Sequence, residues 1–386
     1  MLAHLSDLPT PPAEALVHSD KLAALIRDAI AANGGWIPFV RYMELALYAP
    51  GLGYYTAGAR KLGREGDFTT APEMTPLFGQ TLARQVAEVL DSGLDQILEI
   101  GAGSGALAAA LLTELERMGR LPRNYYILEV SPDLRERERD LLAERVPQLL
   151  ERVIWLNRLP TLYQGLIVAN EVLDAMPVHL VRAGAAGAEE AGVALRDGAF
   201  VWSWRPAGAQ LRAAAEALRL PQGYRSEIQL QACAFVRTLA QAMTRGVILL
   251  IDYGFPAHEY YHAQRSEGTL MCHYRHRAHA DPFFLPGLQD ITSHIDFSAV
   301  ARAGSEAGLA VLGYTGQAQF LINCGITDIM LRIPPENAMA YAPQAGAAQQ
   351  LLSPAEMGEL FKVIALGKDY AAPLTGFASG DRRGAL

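Results

Sequence analysis

The segment Gln96-Ile-Leu-Glu-Ile100 runs into Gly101-Ala-Gly103-Ser-Gly105 and then into an alanine- and leucine-rich stretch from Ala106 to Met118. A short apolar run, three glycines at alternate positions and a helix-forming stretch leave few arrangements open. Glycine accepts the left-handed backbone of a tight strand-to-helix turn, and it lets a ligand approach the exposed amides of a helix N-terminus. The pattern predicts the first strand–turn–helix unit of an open α/β sheet that binds a nucleoside-containing cofactor at this turn.

Further apolar runs of strand length follow at Tyr125–Glu129, Val153–Leu156, Leu166–Ala169 and Val247–Ile251, with a strand pair expected at Ala310–Tyr314 and Phe361–Leu366. Runs without alternation belong to a sheet buried on both faces, so the expectation is a mostly parallel, seven-stranded, Rossmann-like α/β fold. Ser131-Pro132 reads as the start of a helix, since serine caps well and proline suits the first helical position. Two helices, Lys21 to Asn33 and Pro38 to Tyr48, are expected before the sheet, and Pro76 to Leu90 forms another. An inserted α+β subdomain carries a hairpin at Asp197-Gly198, a dipeptide suited to a two-residue turn. The expected division is 1–75 for the N-terminal helices and a cofactor or substrate loop, 76–174 and 246–386 for the core, and 175–245 for the insertion.

Composition narrows the function. A net charge of −8 without a long basic run lacks the electrostatic footprint that a phosphate backbone requires, so no nucleic-acid partner is expected. Cys233, Cys272 and Cys324 form no closely spaced pair, which argues against a zinc or disulfide framework. No apolar stretch approaches membrane-spanning length, and the first twenty residues hold no Lys or Arg, so a cytoplasmic protein is expected.

The residues around the turn carry the chemistry. Glycine spacing alone fits both S-adenosylmethionine and a nicotinamide dinucleotide. Glu99 sets a carboxylate beside the turn, which suits the cationic amino-acid end of S-adenosylmethionine and would repel a pyrophosphate. Glu129, at the end of the next strand, is placed to accept hydrogen bonds from ribose hydroxyls. Asn170-Glu171 and Asp174 gather where the fourth strand leaves the sheet, the edge at which ligands meet reacting groups. Asn170 is assigned to cofactor or substrate, and Glu171 to orienting a protonated nitrogen nucleophile or taking its proton. Tyr253 ends the fifth strand and lines the same region or packs as core.

Six of the nine histidines fall between His258 and His294. The spacing His273-x-x-His276-x-x-His279 raises a metal site, but the run lies among Arg275, Arg277 and Asp281 without a cysteine partner. A polar substrate wall is the preferred reading, with no metal. Gln289 to Phe297 is read as a helix start in which Thr292 or Ser293 caps and His294 or Asp296 faces the cleft, with His294 assigned to substrate.

The motifs Gly53-Tyr54-Tyr55, Gly66-Asp-Phe-Thr-Thr-Ala-Pro-Glu73, Glu99-x-Gly101-x-Gly103-x-Gly105, Asn170-Glu171-x-x-Asp174-Ala-x-Pro177, Asp252-Tyr253-Gly254 and Gln289-Asp290-Ile-Thr292-x-His294 stand in order along nearly the whole chain. Together they resemble the MidA-like methyltransferases. The resemblance implies a class I methyltransferase fold, S-adenosylmethionine as cofactor and a protein substrate. A mitochondrial member is understood to dimethylate an arginine of a complex I core subunit, so a protein-arginine methyltransferase acting on a complex I subunit is the expectation. The same pattern makes Thr70 a cofactor residue, and Asp67 and Glu73 substrate-side rim residues. A non-catalytic assembly protein that keeps the cofactor for structure, and a Rossmann oxidoreductase, are the alternatives. Oligomeric state is left open, with a homodimer among the options.

Overall fold

The computed structural model of the chain describes residues 4–57 and 69–386. They divide into two compact units, each assembled from separate stretches of chain: residues 69–172, 233–256 and 296–386 in one, and the described parts of 1–68 with 173–232 and 257–295 in the other.

The first unit is built on a large mixed sheet. Its strands are β1 (Gln96–Ile100), β2 (Asn124–Leu128), β3 (Val153–Leu156), β4 (Tyr163–Asn170), β5 (Met243–Phe255), β6 (Ala310–Gly316) and β7 (Phe361–Lys368). They lie in the order β6-β7-β5-β4-β1-β2-β3, and an eighth two-residue strand, Ile295–Asp296, joins β5 off that path. β1 to β5 pair in parallel, whereas β7 runs antiparallel to both β5 and β6. The expected late strand pair is thus β6 and β7. Leu166, Ile167 and Val168 of β4 and Val247 to Leu250 of β5 are all fully buried, so neighbouring side chains on both faces are covered. That is why these runs show no polar alternation.

Helices α1 (Pro76–Asp91), α2 (Ala106–Arg117) and α3 (Pro132–Arg145) belong to this unit. α1 starts where the Thr75 hydroxyl accepts a hydrogen bond from Leu77 N at 3.2 Å, with proline in the first turn. α3 starts as expected on Ser131, whose Oγ accepts from Leu134 N at 3.4 Å.

Gly165 of β4 and Gly246 of β5 sit opposite each other at the end of the sheet where these strands begin. Their backbones come so close that a Cβ on Gly246, at φ +146°, would lie 1.9 Å from the Gly165 carbonyl oxygen. A Cβ on Gly165 would lie 2.4 Å from the carbonyl oxygen of Gln96 in β1. Both obstacles are backbone atoms that cannot swing aside.

The second unit contains helices Ala13–Ala32 and Phe39–Tyr48 and two antiparallel sheets. In the five-stranded sheet, Gly187–Arg196 is flanked by Trp36–Pro38 and His179–Gly184, the latter pairs with Arg225–Ile228, and Ala199–Pro206 folds back on Gly187–Arg196. The hairpin turns at Asp197-Gly198, with φ values of +52° and +80°, as the dipeptide predicts.

The three-stranded sheet orders Arg277–His279, Met271–Tyr274 and Asp290–Thr292. Its first hairpin turns on Arg275 and His276, which take φ +46° and +60° without any glycine, so the turn gave no signal in the sequence. Thr292 lies in a strand, paired with Met271, and caps no helix. The helix expected from this stretch starts later, at Phe297, where Asp296 Oδ1 accepts from Ala299 N at 3.0 Å. Pairing across the sheet has taken precedence over local capping preference. Among the described residues, no helix is long and apolar enough to cross a membrane.

Replacing Gly246 with alanine should lower unfolding free energy by roughly 2–4 kcal/mol, as overpacking against fixed backbone does. Urea titration followed by circular dichroism measures it, and a loss below about 0.5 kcal/mol would show that the two strands can part at no cost.

Candidate functional site

Parallel pairing sets the ends of four strands in line. Ile100 of β1 is in register with Leu128 of β2 and Ala169 of β4, and Asn170 is in register with Ile251 of β5. The residues just beyond these positions are therefore neighbours along one edge: Gly101, Glu129, Asn170-Glu171 and Asp252-Tyr253. This is the carboxyl edge of an open α/β sheet, where ligands bind.

At β1 the chain turns through Gly101, Gly103 and Gly105, at φ +69°, +62° and +87°. All three are left-handed, a region costly to residues with a Cβ. The turn is also crowded from outside: a Cβ on Gly101 would lie 2.8 Å from Val172 Cγ2, and one on Gly105 would lie 3.3 Å from Glu138 Cα. α2 begins directly afterwards at Ala106, so the turn delivers a helix N-terminus to the edge. Ser104 Oγ donates to Glu73 Oε1 and accepts from Ala106 N at 3.3 Å. Glu73 is thus tied to the glycine turn itself. Thr70 stands immediately before the short helix Ala71–Met74, its carbonyl accepting from Glu73 N at 3.0 Å. Asp67 lies outside the described residues.

Glu129 follows β2 and is 8% exposed, with Oε1 accepting from Ser131 N at 2.7 Å. Burial raises its pKa against these backbone hydrogen bonds. The next residue, Val130, is 73% exposed and offers an apolar surface beside the carboxylate. At β4, Asn170 Nδ2 donates to Glu171 Oε1 at 3.1 Å, while Asn170 Oδ1 is buried without a hydrogen-bond partner. Glu171 takes φ +52° and donates its backbone N–H to Ile251 O at 2.9 Å. A left-handed glutamate is strained, and such strain persists where surrounding structure imposes it. Tyr253 is half-buried, its ring edge-on to Phe361 at 5.4 Å. Asp174 and His294 belong to the other unit. There, Ser293 N donates to Asp174 O at 3.0 Å, and Gln229 Nε2 donates to the His294 carbonyl.

Glu99 is the residue whose charge favours a cationic cofactor over a pyrophosphate. The side chain is 2% exposed, Tyr125 donates to its Oε2 at 2.6 Å, and burial pushes its pKa up to about 7. A second carboxyl lies behind the turn. Glu138 of α3 is fully buried, its Oε2 accepts from Trp155 Nε1 at 2.7 Å, and its Oε1 has no hydrogen-bond partner. Burial, with smaller contributions from the charges of Glu129 and Glu99, pushes the Glu138 pKa up to about 8. Glu138, Trp155, Tyr125, Ser104 and Val130 were all missed in the sequence. One signal was present: Leu134, Glu138 and Leu142 recur every four residues on one helical face. The charged run from Arg135 to Asp140 obscures it.

These residues fit a nucleoside cofactor bearing an amino-acid end. The turn offers backbone amides, Glu129 a hydrogen-bond acceptor for hydroxyls, Val130 an apolar contact, and the unpartnered Asn170 Oδ1 an acceptor for a donor group. All nine histidines belong to the second unit, where Cys272 and His279 face each other across a strand pair. Among the described residues, no group of three His, Cys, Asp or Glu side chains is arranged to hold a metal ion.

Glu138 also makes a prediction about stability. Below its ordinary pKa of 4.5, the carboxyl holds its proton in folded and unfolded chains alike. Above that, the unfolded chain releases the proton first while the folded chain keeps it to about pH 8, so stability falls as pH rises through this window. Glu138→Gln removes the loss. Its melting temperature should match wild type near pH 4.5 and exceed it by several degrees at pH 8, as about 2 kcal/mol would give. Parallel pH-dependent melts of the two proteins would contradict this.

Comparison with known proteins agrees with the geometry. Residues 81–315 match the family described as "putative S-adenosyl-L-methionine-dependent methyltransferase". A crystal structure from Burkholderia thailandensis, bound to S-adenosyl-homocysteine, is 53% identical with a TM-score of 0.96 and covers 98% of this chain and 100% of that one. The mouse mitochondrial protein arginine methyltransferase NDUFAF7 is 31% identical over 86% of this chain and 81% of its own length. Its Drosophila melanogaster homologue is 29% identical over 92% and 88%. The nicotinamide alternative left open by the glycine spacing is closed, since the cofactor is S-adenosylmethionine. With its glycine turn, its strand-end carboxylates and these relatives, the chain belongs to the S-adenosylmethionine-dependent methyltransferase family.

Proposed function

We propose that the protein methylates a guanidinium nitrogen of an arginine in a protein substrate, with a subunit of respiratory complex I as the target implied by the family resemblance. The observation that carries this reading is the Asn170-Glu171 pair. A glutamate held at φ +52° on the carboxyl edge, with its Oε1 fixed by the adjacent asparagine amide, is a carboxylate with a set direction. Planar, bidentate donors such as guanidinium are the groups that a fixed carboxylate recognises best. The relatives named as protein arginine methyltransferases support the same class of substrate.

The cofactor, when bound, supplies an electrophilic methyl group on a sulfonium. The protein's own task is mainly positioning. Glu171 holds the guanidinium through its N–H donors, so one terminal nitrogen is presented in a single orientation. Its carboxylate is also the acceptor for the proton that the nitrogen gives up. Asn170 fixes Glu171 through Nδ2 and leaves Oδ1 as an acceptor for a cofactor donor. Tyr253, packed against Phe361, forms a wall at the end of β5.

Glu171→Gln keeps the shape of the side chain and removes its charge. It should lower kcat by about 10²-fold or more, with the dissociation constant for S-adenosylhomocysteine within threefold of wild type. Radiolabelled methyl transfer and calorimetry provide the two readings, and an unchanged kcat would remove Glu171 from the mechanism. Mass spectrometry of complex I subunits from cells with and without the protein tests the target. If every arginine carries the same methylation in both, complex I is the wrong substrate.

A further inference from the structure

In the unit that holds residues 4–57, 173–232 and 257–295, three segments distant in sequence are tied together around two tyrosines. The rings of Tyr48 and Tyr55 stack with centroids 5.5 Å apart and planes 20° from parallel. Tyr55 directs its hydroxyl at Asp290, 3.0 Å from Oδ1 and 2.9 Å from Oδ2. Tyr48 donates to the Ala175 carbonyl at 3.0 Å, and the Ser293 amide donates to the Asp174 carbonyl at the same distance. Burial raises the Tyr55 pKa first, and the charges of Asp290 and Asp174 raise it further, so both carboxylates act on the same phenol.

Asp290 and Thr292 lie two residues apart on one strand, so their side chains project from the same face of the sheet. Thr292 Oγ1, in a residue 3% exposed, and Ser293 Oγ, in one fully buried, have no hydrogen-bond partner. A buried hydroxyl without a partner is costly and rare in folded proteins. Here the Thr292 hydroxyl shares a sheet face with Asp290, which holds Tyr55 of a stacked aromatic pair whose other ring, Tyr48, is 37% exposed. The ligand that satisfies such a group of atoms is positively charged, rich in N–H donors and flat enough to lie on an aromatic face. Guanidinium has all three properties, whereas an ammonium lacks the plane.

We propose that Tyr48, Tyr55, Asp290 and Thr292 form a recognition site for the guanidinium of an arginine-bearing protein segment. For its biological role the proposal rests on the reading of this protein as an arginine methyltransferase. It adds to that reading a set of specificity-determining residues outside the cofactor-binding unit. Asp174 contributes a second negative charge to the cluster, and its carbonyl fixes the backbone on which Ser293 stands.

The test uses the full-length protein and four probes: acetyl-Gly-Arg-Gly-amide, its lysine and citrulline counterparts, and free arginine. Affinities come from calorimetry or NMR titration, and methyl transfer to the arginine peptide is measured alongside. Wild type should bind the arginine peptide at least tenfold more tightly than either counterpart. Thr292→Val, which removes a hydroxyl without a protein partner, should fold as wild type and weaken the arginine peptide about tenfold or more, the loss of one hydrogen bond to a charged donor. Asp290→Asn should weaken it tenfold or more. In both variants the affinity for S-adenosylhomocysteine should stay within twofold.

Free arginine binding as tightly as the peptide supports the site and identifies the amino acid itself as the source of the guanidinium. Equal binding of the arginine and lysine peptides overturns the site. So does an unchanged peptide affinity in both variants, and if arginine is still methylated, the proposed function survives alone. If the variants lose peptide binding while wild type places its methyl group on a different residue type, the site stands and the arginine assignment fails. If wild type neither binds nor methylates any guanidinium probe, both fail together.

Discussion

A parallel sheet covered on both faces leaves a ligand nowhere to go except the ends of its strands, and much of the first unit follows from this. Leu166 to Val168 and Val247 to Leu250 are buried on successive, opposite-facing positions, so the sheet interior has no polar opening. Polar groups gather at the carboxyl edge, where the strands in register end in Gly101, Glu129, Asn170-Glu171 and Asp252-Tyr253. At the opposite end, Gly165 and Gly246 let the backbones of β1, β4 and β5 converge. One end of the sheet is specialised for close packing, the other for chemistry.

Much of this was legible in the sequence because the signals were local. Unbroken apolar runs gave β3 from Val153 to Leu156 and the core of β4 and β5, and the glycines at 101, 103 and 105 occupy the left-handed conformations that called for them. Ser131 and the Asp197-Gly198 turn were equally direct. What escaped depends on partners distant in the chain. Glu138 sits in a run of charges that reads as a solvated face, yet α3 presses it onto the sheet between Trp155 and the glycine turn. The hairpin at Arg275-His276 bends without glycine, and Thr292 pairs in a strand where a helix cap was expected. Of the candidate site residues, Glu129 and Asn170-Glu171 were legible from their place at strand ends, and they lie on the carboxyl edge. The Tyr55–Asp290 hydrogen bonds, across 235 positions, had no local signature.

The carboxyl groups near the turn show how burial changes what a residue can do. Glu99 entered as a negative charge beside a cationic ligand, but Tyr125 occupies one of its oxygens and its pKa is pushed up to about 7. Burial thus disfavours the very charge that would attract a cationic ligand. Glu129 is held by the Ser131 amide and keeps its place at the edge. Glu138 lies deeper, and its backbone packs against Gly105, so the protonation of one group and the shape of the cofactor turn share a helix.

Of the chain's four tryptophans, Trp36, Trp202 and Trp204 belong to the second unit, leaving Trp155 alone in the first. Its indole N–H is hydrogen-bonded to Glu138, and the guanidinium of Arg139 lies 4.8 Å from its ring centre. An indole next to an ionisable group emits differently as that group gains or loses its proton. The protein thus carries an intrinsic fluorophore positioned behind its own cofactor turn. With the other three tryptophans replaced, the emission of a single residue would report the electrostatic state of the nucleotide pocket in real time, without any added label.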